Sequence, residues 1–165
     1  MNTREIKPGL SLLTNGLITS VFVFIIFVSP TYADSKADKK FYSWKIENYA
    51  ITKPFGGYRG NAERGRKIII NRNKGNCLAC HTLPISEEKF HGTVGPALHG
   101  IASRLSEGQI RLRVADEQKI NPLTIMPGYY KNPKENNRVA DKYWGKPVLT
   151  AQETEDVIAY LMTLK

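Results

Sequence analysis

The chain contains two cysteines, and they lie close together with a histidine directly after the second, in the sequence Cys77-Leu78-Ala79-Cys80-His81. A disulfide across so short a loop would remove little entropy from the unfolded chain, so a purely structural bridge is a poor explanation. Two thiols at this spacing in one helical turn can instead reach the two vinyl groups on one edge of a haem and form thioethers with them. The pattern therefore predicts a covalently attached haem c, which requires a fold that wraps around it.

The histidine of this motif predicts how the iron is held. Its position directly after the second cysteine places His81 beneath the iron, so we expect it to be the proximal ligand. A backbone carbonyl in Gly95-Pro96 is expected to accept a hydrogen bond from its Nδ1 and fix the ring. Two other interpretations of the motif are less favourable. A thioredoxin-like redox pair needs a β-α-β context that this sequence lacks, and a zinc site needs a second pair of ligands at typical spacing, which is missing.

The sequence offers several candidates for the second axial ligand. Met126 is favoured, because it lies in a loop where the following proline holds the preceding residues in an extended conformation. Met162 lies in the C-terminal amphipathic helix and is better explained by packing. His91 follows the motif so closely that it must stay on the proximal side, and His99 is better explained as a surface histidine. A histidine and a methionine would leave the iron no open position, which suits electron transfer rather than oxygen activation.

The first 33 residues have the order of a secretory signal peptide. Arg4 and Lys7 give a basic start, residues 17–28 are almost wholly apolar, and small residues precede a cleavage point after Ala33. The apolar run of about 12 residues is shorter than the roughly 20 that a membrane-spanning helix needs. We therefore expect export to the periplasm, removal of residues 1–33 and no stable membrane insertion. The alternative is an uncleaved N-terminal anchor.

The chain is basic, with 24 lysines and arginines against 15 acidic residues. Removal of residues 1–33, which hold two basic residues and one acidic residue, would leave 22 against 14 and a net charge of +8. Such a charge suits a nucleic acid, a membrane surface or an acidic protein. Export argues against a nucleic acid, so we interpret the charge as a surface that steers a protein partner.

Hydrophobic spacing and capping residues predict three helices and an all-α fold class. The first covers residues 61–73, with Asn61 as its N-cap. Capping boxes at 106–109 and 150–153 open the second and third helices, and an Asn-Pro sequence ends the second. No other set of catalytic residues is evident, so we expect an electron-transfer protein rather than a catalyst.

The remaining segments complete the predicted domain organisation. Residues 84–100 and 124–145 are rich in glycine, proline or polar residues and should be irregular. Residues 34–58 form an N-terminal extension, and residues 59–165 form the haem domain. The extension carries aromatic residues that should pack against that domain. They are Phe41, Tyr42, Trp44, Tyr49, Phe55 and Tyr58.

Several further stretches resemble one family of haem proteins. They are Gly92-Thr93-Val94-Gly95-Pro96-Ala97-Leu98, Asn121-Pro122 leading to Met126-Pro127, Gly145-Lys146-Pro147-Val148-Leu149-Thr150 and Glu155-Asp156-Val157-Ile158-Ala159-Tyr160-Leu161. With the cysteine motif, they make residues 59–165 resemble SoxX, the monohaem cytochrome subunit of the bacterial Sox thiosulfate-oxidising system. The resemblance implies a class I cytochrome c fold around one haem c, bound by Cys77 and Cys80 and ligated by His81 and Met126.

The resemblance also implies partners. SoxX pairs with a larger haem subunit, SoxA, in the periplasm, and the SoxAX complex is an L-cysteine S-thiosulfotransferase that joins thiosulfate oxidatively to a cysteine of the carrier SoxYZ. The reactive cysteine ligand belongs to SoxA, so this chain would be a non-catalytic subunit that relays electrons to a soluble cytochrome c. Two alternatives stay open. One is a stand-alone electron-carrier cytochrome, and the other is a haem-based ligand sensor in which Met126 is a weak or absent ligand.

Overall fold

Four α-helices form the framework of the part of the chain that the computed structural model describes, residues 40–136 and 139–165. They are α1 (Ala62–Ile70), α2 (Ile101–Arg104), α3 (Glu107–Asp116) and α4 (Ala151–Leu161). These described residues form no strand and leave one isolated bridge between Glu47 and Ala50, so the predicted all-α class is confirmed. None of the described helices has the length and apolar character needed to cross a membrane. The predicted signal peptide, residues 1–33, lies outside the described ranges.

The close crossing of α1 and α4 organises the fold, and it depends on a glycine. A Cβ at Gly65 would lie 2.5 Å from the carbonyl carbon of Asp156, so any side chain here would push the two helices apart. The buried Asp156 carboxylate accepts hydrogen bonds from the backbone N–H of Asn61 at 2.8 Å and from the Arg64 guanidinium at 2.7 and 2.8 Å. The start of α1 is thereby fixed against the middle of α4.

Each predicted helix is present, with the N-cap that the sequence indicated. The Asn61 side chain accepts a hydrogen bond from a first-turn backbone N–H of α1 at 2.9 Å. The capping boxes that begin with Ser106 and Thr150 are complete, since Gln109 and Glu153 accept hydrogen bonds from the backbone N–H of the cap residues. These local interactions fix where each helix begins.

Two helices end earlier than predicted. α1 stops at Ile70 rather than at residue 73, because the Asn71 side chain accepts the backbone N–H of Asn73 at 2.8 Å and turns the chain. α3 stops at Asp116 and continues as a 3-10 turn over Glu117–Lys119, before the Asn-Pro sequence that was predicted to end it. Side-chain competition for backbone hydrogen bonds thus shortens the first helix below the length that its hydrophobic pattern indicates.

The segments between helices are irregular apart from short turns. Both stretches predicted to be irregular lack α-helix in their described parts. The second holds 3-10 turns at Pro133–Glu135 and Asp141–Tyr143. A further 3-10 turn covers Cys77–Ala79, so the cysteine motif lies on a tight turn between α1 and α2.

The N-terminal extension packs against the helical domain, as its aromatic residues indicated, except at Tyr49. That residue lies in the tight turn between Glu47 and Ala50, and its side chain is 77% exposed. The rings of Phe41 and Phe55 have their centroids 5.3 and 4.3 Å from the ring centroid of Tyr130. The backbone N–H of Ile51 donates to the carbonyl of Gly108 in α3 at 2.9 Å. Ile51 and Phe55 are both buried, so the extension contributes to the core rather than lying on its surface.

Candidate haem site

All four side chains predicted for the haem site line one cavity of about 440 Å³. Cys77, Cys80 and His81 contribute from the turn that follows α1, and Met126 contributes from the loop that follows α3. Much of the remaining wall is apolar. It includes Val94, Leu98, Ile101, Leu105, Ile110, Val114, Leu149, Val157 and Leu161. Residues that are far apart in the sequence therefore enclose one largely apolar space.

The alternative axial ligands lie outside the described lining of this cavity. His91 uses Nδ1 to accept the backbone N–H of Leu83 at 3.2 Å. His99 is exposed, and its carbonyl accepts a hydrogen bond from Arg104 at 2.6 Å. Met162 caps the end of α4 and packs against the core. Each of these side chains is thus occupied in packing, hydrogen bonding or solvent contact elsewhere.

The cysteine turn brings both sulfurs to the same cavity. Asn76 adopts a left-handed conformation with φ of 48° and begins the 3-10 turn. The backbone N–H groups of Cys80 and His81 both donate to the carbonyl of Cys77, at 3.1 and 2.9 Å. Leu78 points into the core and is buried. The two sulfurs are not bonded to each other, which leaves both available to a cofactor.

The environment of Cys77 is unsuited to thiol–disulfide chemistry. Burial raises the pKa of the Cys77 thiol to about 12, despite hydrogen bonds with its own backbone and with Tyr129 that lower it. Burial also raises the pKa of Tyr129, whose hydroxyl donates to the carbonyl of Gly75 at 2.6 Å. A reactive redox cysteine needs a lowered pKa, so this observation disfavours the thioredoxin-like alternative.

His81 is held by a carbonyl and by a glycine. Its Nδ1–H donates to the backbone oxygen of Pro96 at 2.7 Å, which confirms the hydrogen bond expected from Gly95-Pro96. A Cβ at Gly95 would lie 2.6 Å from His81 Nδ1 and 2.8 Å from Nε2, so the ring lies directly against this residue. Because Nδ1 carries the proton, the lone pair is on Nε2, where a metal ion can bind it.

Met126 lies in a loop that is fixed mainly at its C-terminal end. The backbone N–H of Met126 donates to the hydroxyl of Thr124 at 3.1 Å. A few residues on, the backbone N–H groups of Tyr129 and Tyr130 donate to carbonyls in the last turns of α3, each at 3.1 Å. The backbone N–H of Leu149 in turn donates to the carbonyl of Tyr129 at 2.9 Å. These contacts hold the loop at the cavity.

The cavity edge also carries two arginines and one glutamate that the sequence analysis did not identify. Arg104 donates to the carbonyls of Ala97 and His99 at 3.2 and 2.6 Å, and Arg113 pairs with Glu117 at 2.8 Å. Both arginines line the cavity. The spacing of Arg113 and Glu117 is visible in the sequence, but it does not indicate which way the pair faces.

The donor set and the wall of this cavity fit a haem. Two thiols, an imidazole and a thioether line a largely apolar space, and the Arg104 guanidinium at its edge could meet a propionate carboxylate. Elsewhere in the described residues, no group of three or more histidine, cysteine, aspartate or glutamate side chains could hold a metal ion. The chemistry of the residues therefore agrees with the cofactor that the motif predicts.

Comparison with known proteins identifies the family. The family model for cytochrome c matches residues 62–165, well over half of the chain. A chain in the crystal structure of SoxXA from P. pantotrophus is 35% identical with a TM-score of 0.67, and the match covers 74% of this chain and 94% of that one. A search of curated proteins gave no match. The chain therefore belongs to the cytochrome c family, as a SoxX-type electron-transfer cytochrome that carries covalent haem c.

Proposed function

We propose that the cavity holds one haem c, attached through Cys77 and Cys80, with His81 and Met126 as the axial ligands of the iron. The observation that carries this proposal is that these four side chains line the same apolar cavity. The engagement of His81 Nδ1 with the Pro96 carbonyl supports ligation through Nε2. The thioether of Met126 is a neutral, soft ligand that favours reduced iron.

The bound haem supplies a centre that gains and loses one electron. The residues of this chain attach it, fill both axial positions and surround it with an apolar wall that excludes water. With two protein ligands the iron has no position for oxygen, so the arrangement favours electron transfer over oxygen activation. This argues for a relay rather than a catalyst, whereas the ligand-sensor alternative would need Met126 to be a weak or absent ligand.

The relay is proposed to serve thiosulfate oxidation. Forming an S–S bond between thiosulfate and a cysteine thiolate of a SoxYZ-like carrier releases two electrons. A haem held by Cys77, Cys80, His81 and Met126 would supply a one-electron acceptor, so each electron would have to be passed to the onward acceptor in turn. We assign the reactive cysteine ligand to a SoxA-like haem subunit that pairs with this chain, and the onward acceptor to a soluble cytochrome c. The likeness to a chain of SoxXA supports the pairing.

The proposed domain organisation follows from this role. Residues 1–33 are a signal peptide that is removed on export to the periplasm, residues 34–58 are an extension, and residues 59–165 are the cytochrome domain. The cytochrome family match begins at residue 62, close to the proposed start of that domain. The basic charge of the chain is suited to steering a partner.

Co-purification tests the assignment to a complex. The tagged chain is purified from the periplasm of thiosulfate-grown native cells, and the eluate is stained for haem. A second, larger haem protein in a one-to-one ratio is expected. A lone haem band, under conditions in which a complex survives, would contradict the pairing and favour the stand-alone electron carrier.

The Met126→Ala variant tests the ligand assignment. Removal of the thioether should open the sixth position, so the holoprotein should lose its low-spin spectrum and bind carbon monoxide when reduced. Met162→Ala is the matched control, because that methionine packs against the core outside the described lining of the cavity and its loss should leave the spectrum unchanged. An unchanged spectrum in Met126→Ala would refute the assignment.

A further inference from the structure

The loop that carries Met126 has little packing of its own before that residue. Leu123 is 90% exposed, whereas Ile125 lines the haem cavity together with Met126. Their neighbourhood is held by short-range hydrogen bonds, such as Thr124 N–H to the carbonyl of Asn121 at 3.1 Å. A segment with exposed apolar side chains and few buried contacts opens easily. The contacts that hold Met126 at the cavity must therefore lie largely in the residues that follow it in the sequence.

Tyr130 is an anchor on that side, next to Tyr129, whose own backbone and hydroxyl hydrogen bonds also hold the loop. It follows Met126 by four residues and is fully buried. Its backbone N–H donates to the carbonyl of Ala115 at 3.1 Å, which ties it to the end of α3. Because only Pro127, Gly128 and Tyr129 separate the two residues, the position of Tyr130 limits the path that the chain can take to Met126.

The N-terminal extension encloses Tyr130, and we refer to its residues 41–58 as the strap. The backbone N–H of Tyr42 donates to the Tyr130 hydroxyl at 2.8 Å, and the indole N–H of Trp44 donates to the Tyr130 carbonyl at 3.3 Å. The rings of Phe41 and Phe55 pack on the Tyr130 ring at 5.3 and 4.3 Å. The strap thus contacts the ring, the hydroxyl and the backbone of this one residue.

The strap has a second attachment that does not involve Tyr130. The carbonyl of Ile51 accepts a hydrogen bond from the Arg111 guanidinium at 2.9 Å, and the N–H of Phe55 donates to the Glu155 carboxylate at 2.9 Å. Arg111 and Glu155 belong to α3 and α4. The strap is therefore fixed to the helical framework, and it can hold Tyr130 against that framework.

We propose that the strap keeps the Met126 loop closed over the haem through Tyr130, which makes Tyr130 a positioning residue for the axial ligand. This inference rests on the proposed function, because it takes Met126 as the sixth ligand. A thioether is readily displaced once its loop can open, so the strap sets how often competing ligands reach the iron. The extension then has a role in the cofactor site as well as in the core.

The test measures imidazole binding to the ferric holoprotein together with the near-infrared methionine–iron charge-transfer band. Tyr130→Phe keeps the ring and removes the hydroxyl that accepts the Tyr42 N–H. Loss of this hydrogen bond, and of the longer one that the hydroxyl donates to the Lys40 carbonyl at 3.4 Å, should raise the open population, and hence the apparent imidazole affinity, on the order of five-fold. Tyr130→Leu also removes the ring contacts and should raise the affinity more than Tyr130→Phe, with a weaker charge-transfer band. Trp44→Phe, which removes the indole hydrogen bond, should act in the same direction.

Ile69→Val is the matched control. Ile69 is fully buried in α1 and is not part of the described cavity lining, and the substitution destabilises the fold by an amount comparable to the loss of a hydrogen bond. It should leave imidazole affinity unchanged. An equal rise in Ile69→Val and Tyr130→Phe would overturn the inference, because it would reflect general destabilisation.

The remaining outcomes separate this inference from the ligand assignment. A charge-transfer band in the wild type, with unchanged imidazole affinity in Tyr130→Phe and Trp44→Phe, would overturn the strap alone. These two conservative variants keep the test decisive if Tyr130→Leu does not fold and acquire haem. Absence of the band in the wild type, with no effect of Met126→Ala, would overturn the ligand assignment and the strap together.

Discussion

The contact between Gly95 and His81 illustrates what a single residue contributes at the proposed iron site. The sequence predicted that a carbonyl of Gly95-Pro96 would receive the imidazole N–H, because a ligating histidine usually has such a partner. The structure identifies the carbonyl as that of Pro96. It also places the ring directly against Gly95, which the sequence did not indicate. The glycine is needed because the ring occupies the space of a side chain.

Gly95→Ala should therefore disturb the His81 ring without replacing any of the proposed haem-binding residues. The added methyl group would lie 2.6 Å from Nδ1, so the ring must move and weaken its hydrogen bond to Pro96. We expect a shifted reduction potential and less haem incorporation, measured by redox titration and by the haem-to-protein ratio. Pro96→Ala is the control, because it keeps the accepting carbonyl and should change the potential much less. Equal potentials in Gly95→Ala and the wild type would contradict this account.

At the scale of elements, the start of α4 is fixed by a local capping box and by an ion pair with a residue that is distant in the sequence. The capping box of Thr150 and Glu153 is visible in the sequence and is complete in the structure. Glu153 also forms an ion pair with Lys74, which lies just before the cysteine turn. Burial alone would raise the pKa of the Glu153 carboxylate, but hydrogen bonds from Lys74 and Thr150 lower it overall. The charged form of Glu153 is therefore the one that the fold stabilises.

The Glu153→Gln variant should be less stable than the wild type by about 0.5–1 kcal/mol at neutral pH. Glutamine retains the cap, so the loss reports the Lys74 interaction. Because the folded pKa lies below its ordinary value of 4.5, this stability is present above that pH and is lost as the pH falls through the folded pKa. The difference in the free energy of unfolding of the holoprotein should therefore shrink as the pH is lowered from neutral to below the folded pKa.

Glu135→Gln is the control for that measurement. Glu135 also pairs with a lysine, Lys119, and its pKa is also lowered, but both side chains are largely in solvent. Exposed pairs contribute little to stability, so this variant should match the wild type at both pH values. A Glu153→Gln deficit that stays constant as the pH falls would refute the ionic explanation.

At the scale of the whole molecule, one buried ion pair joins three parts of the chain. Arg111 in α3 and Glu155 in α4 are 1% and 3% exposed, and they meet at 2.9 Å. Burial alone would lower the pKa of Arg111, but hydrogen bonds and charge from Glu155 and Glu107 raise it overall. The same two side chains bind the backbone of Ile51 and Phe55 in the strap. The pair thus joins both helices to the N-terminal extension.

Removing one member of this ion pair should lower the free energy of unfolding more than replacing both members with apolar residues. Glu155→Ala leaves the buried guanidinium with only the more exposed Glu107 as a carboxylate partner among the described residues, and we expect a loss of about 3 kcal/mol in the free energy of unfolding. The double variant Arg111→Met with Glu155→Leu removes both charges and should recover part of that loss. The recovery is incomplete, since the strap backbone groups lose their partners, at about 1–3 kcal/mol. Urea denaturation of the holoproteins measures the free energy of unfolding of the single and the double variant. A double variant no more stable than Glu155→Ala would contradict the expected cost of a buried, poorly paired charge.

The features that the sequence predicted depend on residues a few positions apart. The haem motif, the three N-caps and the loop position of Met126 are set by such short-range chemistry, because a turn, a cap or a thioether pair involves neighbours in the chain. The helix ends were predicted less well. A run of apolar residues does not reveal that the Asn71 side chain competes with the helix for a backbone N–H.

The remaining features join residues that are far apart in the sequence. Tyr42 and Tyr130 are 88 positions apart, and Phe55 and Glu155 are 100 apart. The positions of Arg104 and Arg113 at the cavity edge, and of the His81 ring against Gly95, likewise depend on how the chain folds. Spacing along a sequence encodes which residues share a turn, whereas these contacts exist because α1 and α4 cross at Gly65 and bring distant segments around one cavity. The local pattern therefore predicted the chemistry of the site, and the packing of the helices established how that site is held.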